Sequence, residues 1–343
     1  MRRFLSIGSI VLGVLLAVLP GALALYGWAH LSAGRSPRLG NFPETVEAIP
    51  PSGDNGFRFA ILGDPEGGLD VYRHLMHKAA VMGAAFCIIT GDVASMPSDE
   101  AFELFEDEYR NLGSSALPTF ACVGNHDMVH GDPSLFRKYM GPEEYCFSYS
   151  GSLFIFVDNN GQAQTARAAP IIRDFLAKQE TRPDHVFLVM HQPITDYSKR
   201  GHSFARRESS DAIFDLIDEG KVDAVLMGHR HGYGRETYKD ALLLVTGGAG
   251  GHLYEPDDFF HMVVMDVTPS GIQDTLVKLD EPLSGLDNIR IALLVHVYPN
   301  VIGRKPVLAG ALFASVLLLV AGWALRRKFP APDPGDAPPS PSR

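Results

Sequence analysis

The sequence predicts an α/β fold in which two sheets are packed between helices, and three observations carry that expectation. Between residues 56 and 281, short apolar runs alternate with stretches that repeat apolar residues at three-to-four spacing. A hairpin and several later strands follow the first alternating units. Five of the apolar runs end abruptly in residues that ligate metals, at the carboxyl end of a strand where open α/β sheets bind ligands.

Taken in order, 57–62 runs into Gly63-Asp64, 86–90 into Gly91-Asp92, and 120–123 into Gly124-Asn125-His126-Asp127. Further on, 186–190 runs into His191 and 222–227 into Gly228-His229-Arg230-His231. Runs of this kind read as buried strands of a parallel sheet. Helical spacing marks 70–82, 99–112, 168–179 and 211–219, each after a turn or capping residue. The runs 145–149 and 153–157, separated by Ser150-Gly151-Ser152, read as a hairpin, and 242–246, 261–267 and 272–279 as later strands.

Composition bounds the function. A chain of 343 residues can hold one large domain or two. Its net charge of −10 offers no basic field for a phosphate backbone, so no nucleic-acid partner is expected. Three cysteines make no disulfide framework, and Cys87 and Cys122 lie in strand-like runs as core residues, with the state of Cys146 open. The hydrophobic fraction of 46% and mean hydropathy of +0.03 are high, and two terminal segments account for the excess.

Residues 1–30 form an N-terminal signal or anchor segment: Arg2-Arg3 precede an uncharged stretch from Phe4 to Ala29. Pro20 and Ala22-Leu23-Ala24 supply a cleavage site, so both a retained anchor and a signal peptide are open. A linker follows over 31–55 and a juxtamembrane stretch spans 282–305, before a transmembrane helix over 306–325. Arg326-Arg327-Lys328 begin a disordered tail, 326–343. The positive-inside rule places both basic clusters in the cytoplasm, making this a plasma- or inner-membrane protein with its domain, 56–281, outside.

The chemistry follows from the ligand types. Two divalent cations about 3.5–4 Å apart can clamp the attacking and leaving oxygens of a phosphoryl displacement. At an effective dielectric of 20 such a pair repels by about 18 kcal/mol at 3.7 Å, so anionic ligands must offset it. Asp64 and Asp92 are candidates for that, and Asn125, His191, His229 and His231 complete the shells without excess charge.

These five blocks, followed by the loop Thr246-Gly247-Gly248-Ala249-Gly250-Gly251, resemble those of the calcineurin-like metallophosphoesterases. The resemblance implies a four-layer α/β/β/α fold, two divalent ions (manganese, iron, magnesium or zinc) and hydrolysis of phosphodiester, pyrophosphate or phosphomonoester bonds by metal-activated water. Carried over, Asp64 and His231 would hold one metal, Asn125, His191 and His229 the other, with Asp92 bridging. His126 would stabilise or protonate the leaving oxygen and Asp127 would orient it.

One block departs from the family: Asp64-Pro65-Glu66 stands where Asp-x-His is usual. Glu66 can be read as a substituted ligand, an acceptor behind the ligands or a solvated loop residue. Purple acid phosphatases carry a metal-bound tyrosine where this chain has Ser95. Substrate contacts are expected from Arg200 and His202 in the basic run 199–207, and from His252. The substrate is expected to be a phosphoester, in a lipid-linked form if the membrane is its source. An alternative is a catalytically weak metal-binding scaffold or membrane-assembly protein with the same fold.

Overall fold

The computed structural model describes residues 11–14, 18, 35–53, 56–195, 207–280 and 314–321. The chain divides into two compact units, Ala33–Pro299 and the pairing of Met1–Ser32 with Asn300–Arg343.

In the larger unit the elements begin with α1 (Pro43–Glu47), β1 (Phe57–Leu62), α2 (Leu69–Val81), β2 (Phe86–Ile89), α3 (Asp99–Asn111) and β3 (Thr119–Ala121). They continue with α4 (Ser134–Met140), β4 (Tyr145–Tyr149), β5 (Ser152–Phe156), α5 (Gln162–Ala177) and β6 (His185–Val189). Last come α6 (Arg207–Asp218), β7 (Ala224–Met227), β8 (Tyr233–Tyr238), β9 (Ala241–Thr246), β10 (His261–Thr268) and β11 (Gly271–Lys278).

The strands form two mixed sheets, ordered β11-β10-β1-β2-β3 and β4-β5-β6-β7-β9-β8. Within the first, β1, β2 and β3 are parallel; within the second, β5, β6, β7 and β9 are. Alternation along each strand sends one set of side chains between the sheets, including Phe59, Phe86, Phe120, Phe154 and Phe187. The opposite set of the second sheet, such as Ile155, Leu188 and Val225, packs on Ala168, Ile172, Ile213 and Leu216 of α5 and α6. Helices α2 and α3 cover the first sheet, joined by the Tyr72 and Phe105 rings at 5.0 Å. The described residues thus build four layers, α/β/β/α.

Several expectations are corrected. Residues 35–53, read as linker, belong to the folded body: Leu39 is fully buried. Asn41 Nδ2 donates to Ala121 O at 2.7 Å and its Oδ1 accepts from Ala121 N–H at 3.1 Å, tying the segment to β3. Helix α5 starts six residues before the expected 168 and runs through Pro170, because its first turns are polar and bury little besides Thr165. The edge strand β8 has no apolar alternation and went unseen in the sequence.

In the smaller unit, residues 314–321 are helical and Ser315 Oγ donates to Gly13 O at 2.7 Å. Among the described residues no helix is long and apolar enough to cross a membrane. Most of 1–30 and 306–325, and all of 282–305 and 326–343, lie outside the described residues.

The core makes a checkable demand. Phe154 is fully buried, with ring centroids 5.3 Å from Phe59 and Phe86, 4.9 Å from Phe147 and 4.8 Å from Phe187. Phe154→Ala is expected to cost about 3–5 kcal/mol in chemical denaturation. Val81→Ala, at a helix end and 74% exposed, should change stability by less than about 0.5 kcal/mol.

Candidate metal centre

The parallel strands β1, β2, β3, β6 and β7 deliver the five blocks to one edge of the two sheets. There the backbone turns sharply. Asp64, Glu66, Asp92 and His229 have φ of 53°, 47°, 50° and 67°, the left-handed region that side chains other than Gly, Asn and Asp rarely adopt. Each such residue costs about 1–3 kcal/mol, and such costs cluster at functional sites.

Two glycines show how tightly the blocks close. A Cβ on Gly91 would lie 2.3 Å from His191 Nδ1, and one on Gly124 would lie 2.1 Å from Asp92 Oδ1. No larger residue fits before either ligand. The loop after β9 closes the other side, where Ala249 N–H donates to Gly63 O and Gly251 N–H to Asp64 O, both at 2.8 Å.

Four ligand atoms converge on one point. His191 Nδ1–H donates to Thr90 O at 2.8 Å, which turns Nε2 inward. That Nε2 lies 3.0 Å from Asn125 Oδ1, 3.2 Å from His229 Nδ1 and 3.3 Å from Asp92 Oδ2, and Asn125 Oδ1 is 2.8 Å from His229 Nδ1. Donors about 2.1 Å from a shared cation at right to tetrahedral angles lie about 3.0–3.4 Å apart. The spacing and the N/O donor types together fit a divalent metal.

A second cluster adjoins it. Asp64, Asp92 and His231 present ligand atoms within 4.8 Å of one another, as do Glu66, Asp92 and His126, and Asp92 is common to all three groupings. His231 Nδ1–H donates to His252 O at 2.6 Å, so its Nε2 faces Asp64 Oδ1 at 3.8 Å. Asp64 also accepts the His229 N–H at 3.0 Å.

Burial opposes charge throughout. It pushes Asp64 up to about 8. At Asp92 burial is outweighed by His191, which holds the carboxyl at about 2, and the same pairing against burial raises His191 to about 10. Burial and the neighbouring His191 lower His229 to about 3. A divalent cation at the His191 lone pair would answer the same anionic field.

Asp127 does not orient the His126 ring as expected. It is fully buried, and its carboxylate accepts from Ala94 N–H at 3.0 Å and Gly124 N–H at 2.8 Å, bracing two ligand loops together. The His126 ring is oriented by the Ser95 carbonyl, which accepts from Nδ1 at 3.2 Å, while His126 N–H donates to Asp92 Oδ1 at 2.8 Å. His252 enters through its carbonyl; its exposed ring meets Tyr254 edge-on, and Tyr254 stacks on His231 at 4.9 Å. Arg200 and His202 lie outside the described residues.

Sequence reading missed Asn159. It is fully buried, its Oδ1 accepts from His191 N–H at 3.0 Å and Gln192 N–H at 2.9 Å, and its Nδ2 donates to Gln192 O at 2.7 Å. Its only signal was a polar Asp158-Asn159-Asn160 run straight after a buried strand.

Among solved structures, a purple acid phosphatase from yellow lupin (Lupinus luteus) seeds is similar at 15% identity and a TM-score of 0.53, over 67% of this chain and 52% of that one. The chain thus spans about half the length of that phosphatase. A dimetal phosphatase from Danio rerio is similar at 14% identity and a TM-score of 0.46, over 66% of this chain and 99% of that one. At 15% identity the likeness to the lupin structure concerns the fold alone. No curated protein matches the chain. The profile described as Calcineurin-like phosphoesterase matches residues 57–233, a stretch that contains all five ligand-bearing blocks. The chain belongs to the calcineurin-like phosphoesterase family.

Proposed function

We propose that this chain hydrolyses phosphoesters with two divalent metals and is held at a membrane by its terminal segments. The convergence of His191 Nε2, His229 Nδ1, Asn125 Oδ1 and Asp92 Oδ2 carries the first part. Asp92, shared by every ligand grouping, would serve both ions. Asp64 and His231 would hold the first metal, and Asn125, His191 and His229 the second. Bound there, the ions supply Lewis-acid polarisation of phosphoryl oxygens and a water that ionises near neutral pH.

The remaining roles belong to the chain's own groups. The Thr90 and His252 carbonyls fix the tautomers of His191 and His231, so each presents Nε2 inward. Asn159 holds the His191 peptide in place. With Nδ1–H on Ser95 O, His126 turns Nε2 toward the cleft, where it can hold a proton for the leaving oxygen. Asp127 keeps the loops bearing Asp92 and Asn125 in register.

Membrane attachment rests on the uncharged stretches 4–29 and 307–325 and their flanking arginines. Where the N-terminal segment is retained, the Ser315–Gly13 hydrogen bond pairs it with the C-terminal one. The domain then lies outside the cytoplasm, and a lipid-linked phosphoester is favoured because tethering raises local concentration for substrates at the same surface. Arg200, His202 and the exposed ring of His252 are the groups proposed to meet the substrate.

Asp92→Asn should lower phosphodiester and phosphomonoester turnover by about 10²–10³-fold or more, with the far-ultraviolet circular dichroism unchanged. His126→Ala should keep the bound metal and slow turnover by about 10²–10⁴-fold. Wild-type turnover by Asp92→Asn at full metal content would overturn the assignment.

Topology is tested separately. Reporter fusions after Asp280 and after Arg343 should report opposite sides of the membrane, and both in the cytoplasm would refute the proposed orientation.

A further inference from the structure

We infer that Glu66 is a direct ligand of the first metal, where the family pattern has an imidazole, and that it tunes the centre toward hard cations and monoanionic phosphodiesters. This rests on the metal-dependent reading above.

The backbone aims the side chain. Glu66 sits at φ 47°, and its N–H donates to Asp92 O at 3.0 Å. Glutamate gains nothing from the left-handed region, where Asn, Asp and Gly are the tolerated residues, so this loop bears strain to hold it there. Its side chain is only 16% exposed, which is not how a solvated loop glutamate stands.

The nitrogens it faces bear on which role it takes. Glu66 Oε1 lies 3.3 Å from His231 Nε2 and 3.8 Å from His126 Nε2. An acceptor behind the ligands would take the outward N–H of a ligating imidazole. That of His231, the ligating imidazole beside Glu66, is already committed: its Nδ1–H donates to His252 O. Glu66 therefore meets His231 at its metal-facing nitrogen, at the spacing two ligands of one cation adopt. The grouping of Glu66 with Asp92 and His126 places the same carboxylate beside the bridging ligand.

A carboxylate here changes the charge of the centre. Asp64, Asp92 and Glu66 set three negative charges against two dications, leaving one positive charge where an imidazole would leave two. The added hard oxygen favours manganese, magnesium or ferrous iron over zinc. A less positive centre also loses attraction for a phosphomonoester dianion faster than for a diester monoanion.

The test strips the full-length chain with chelator and titrates it with Mn²⁺ and, separately, Zn²⁺, following bound metal by equilibrium dialysis and elemental analysis. Wild type should bind two Mn²⁺ per chain and show an exchange-coupled Mn²⁺ signal in electron paramagnetic resonance. Glu66→Ala and Glu66→Gly should each weaken one Mn²⁺ by at least about 100-fold and lose the coupled signal, by analogy with the 10–100-fold cost of losing mere outer-shell partners. The glycine variant relieves the positive φ, so its loss of metal cannot be blamed on backbone strain. Glu66→His should regain two ions, shift the Zn²⁺-over-Mn²⁺ preference upward by about 10-fold, and lower the diester-to-monoester rate ratio. Two Mn²⁺ bound as tightly by both truncations as by wild type would overturn the inference and leave the metal-dependent reading standing. A wild type that binds fewer than two would overturn both.

Discussion

Four lone-pair atoms held about 3 Å apart are the condition on which the rest of this molecule turns. His191 Nε2, His229 Nδ1, Asn125 Oδ1 and Asp92 Oδ2 come from four separate strand ends, drawn from both sheets. The His191 ring gives its Nδ1–H to Thr90 O, which turns Nε2 into the cluster. The fold must supply enough stability elsewhere to impose this arrangement. The aromatic layer between the sheets does so, with Phe59 and Phe86 stacked at 5.1 Å and Phe154 and Phe187 at 4.8 Å.

Strain is concentrated where the ligands are. Asp64, Glu66, Asp92 and His229 all sit at positive φ, and glycines precede Asp64, Asp92, Asn125 and His229 because a side chain there would meet Thr246 O, His191, Asp92 and Thr90 O respectively. Buried polar groups hold the turns in place: Asp127 ties Ala94 to Gly124, and Asn159 grips both peptide N–H groups after β6. A site built this way is rigid before any ion arrives, which is what fixed coordination geometry requires.

The ligand blocks were legible because each combines two independent signals, a buried apolar run and a rare polar cluster straight after it. The parallel strands were legible for the same reason. What could not be read were partners that act through the backbone. Ser95 and His252 matter through their carbonyls, which any residue would carry. Asp127 follows His126 in sequence, yet the tight turn over Asn125–Asp127 points its carboxylate at Gly124 and Ala94 instead. Asn41 falls in a Pro- and Gly-bearing stretch that looked like a linker, and only the fold brings it to β3. Glu66 stands open among three roles in the sequence, and only the fold brings its Oε1 to 3.3 Å from His231 Nε2.

The most direct test of the proposed two-metal centre is a crystal structure of the full-length chain grown with Mn²⁺, with anomalous scattering recorded at the manganese edge. Two peaks are predicted, both touching the Asp92 carboxylate. One should lie among His191 Nε2, His229 Nδ1 and Asn125 Oδ1, and the other beside Asp64 and His231. No peak within the cluster at saturating Mn²⁺ would contradict the claim that these atoms bind a cation.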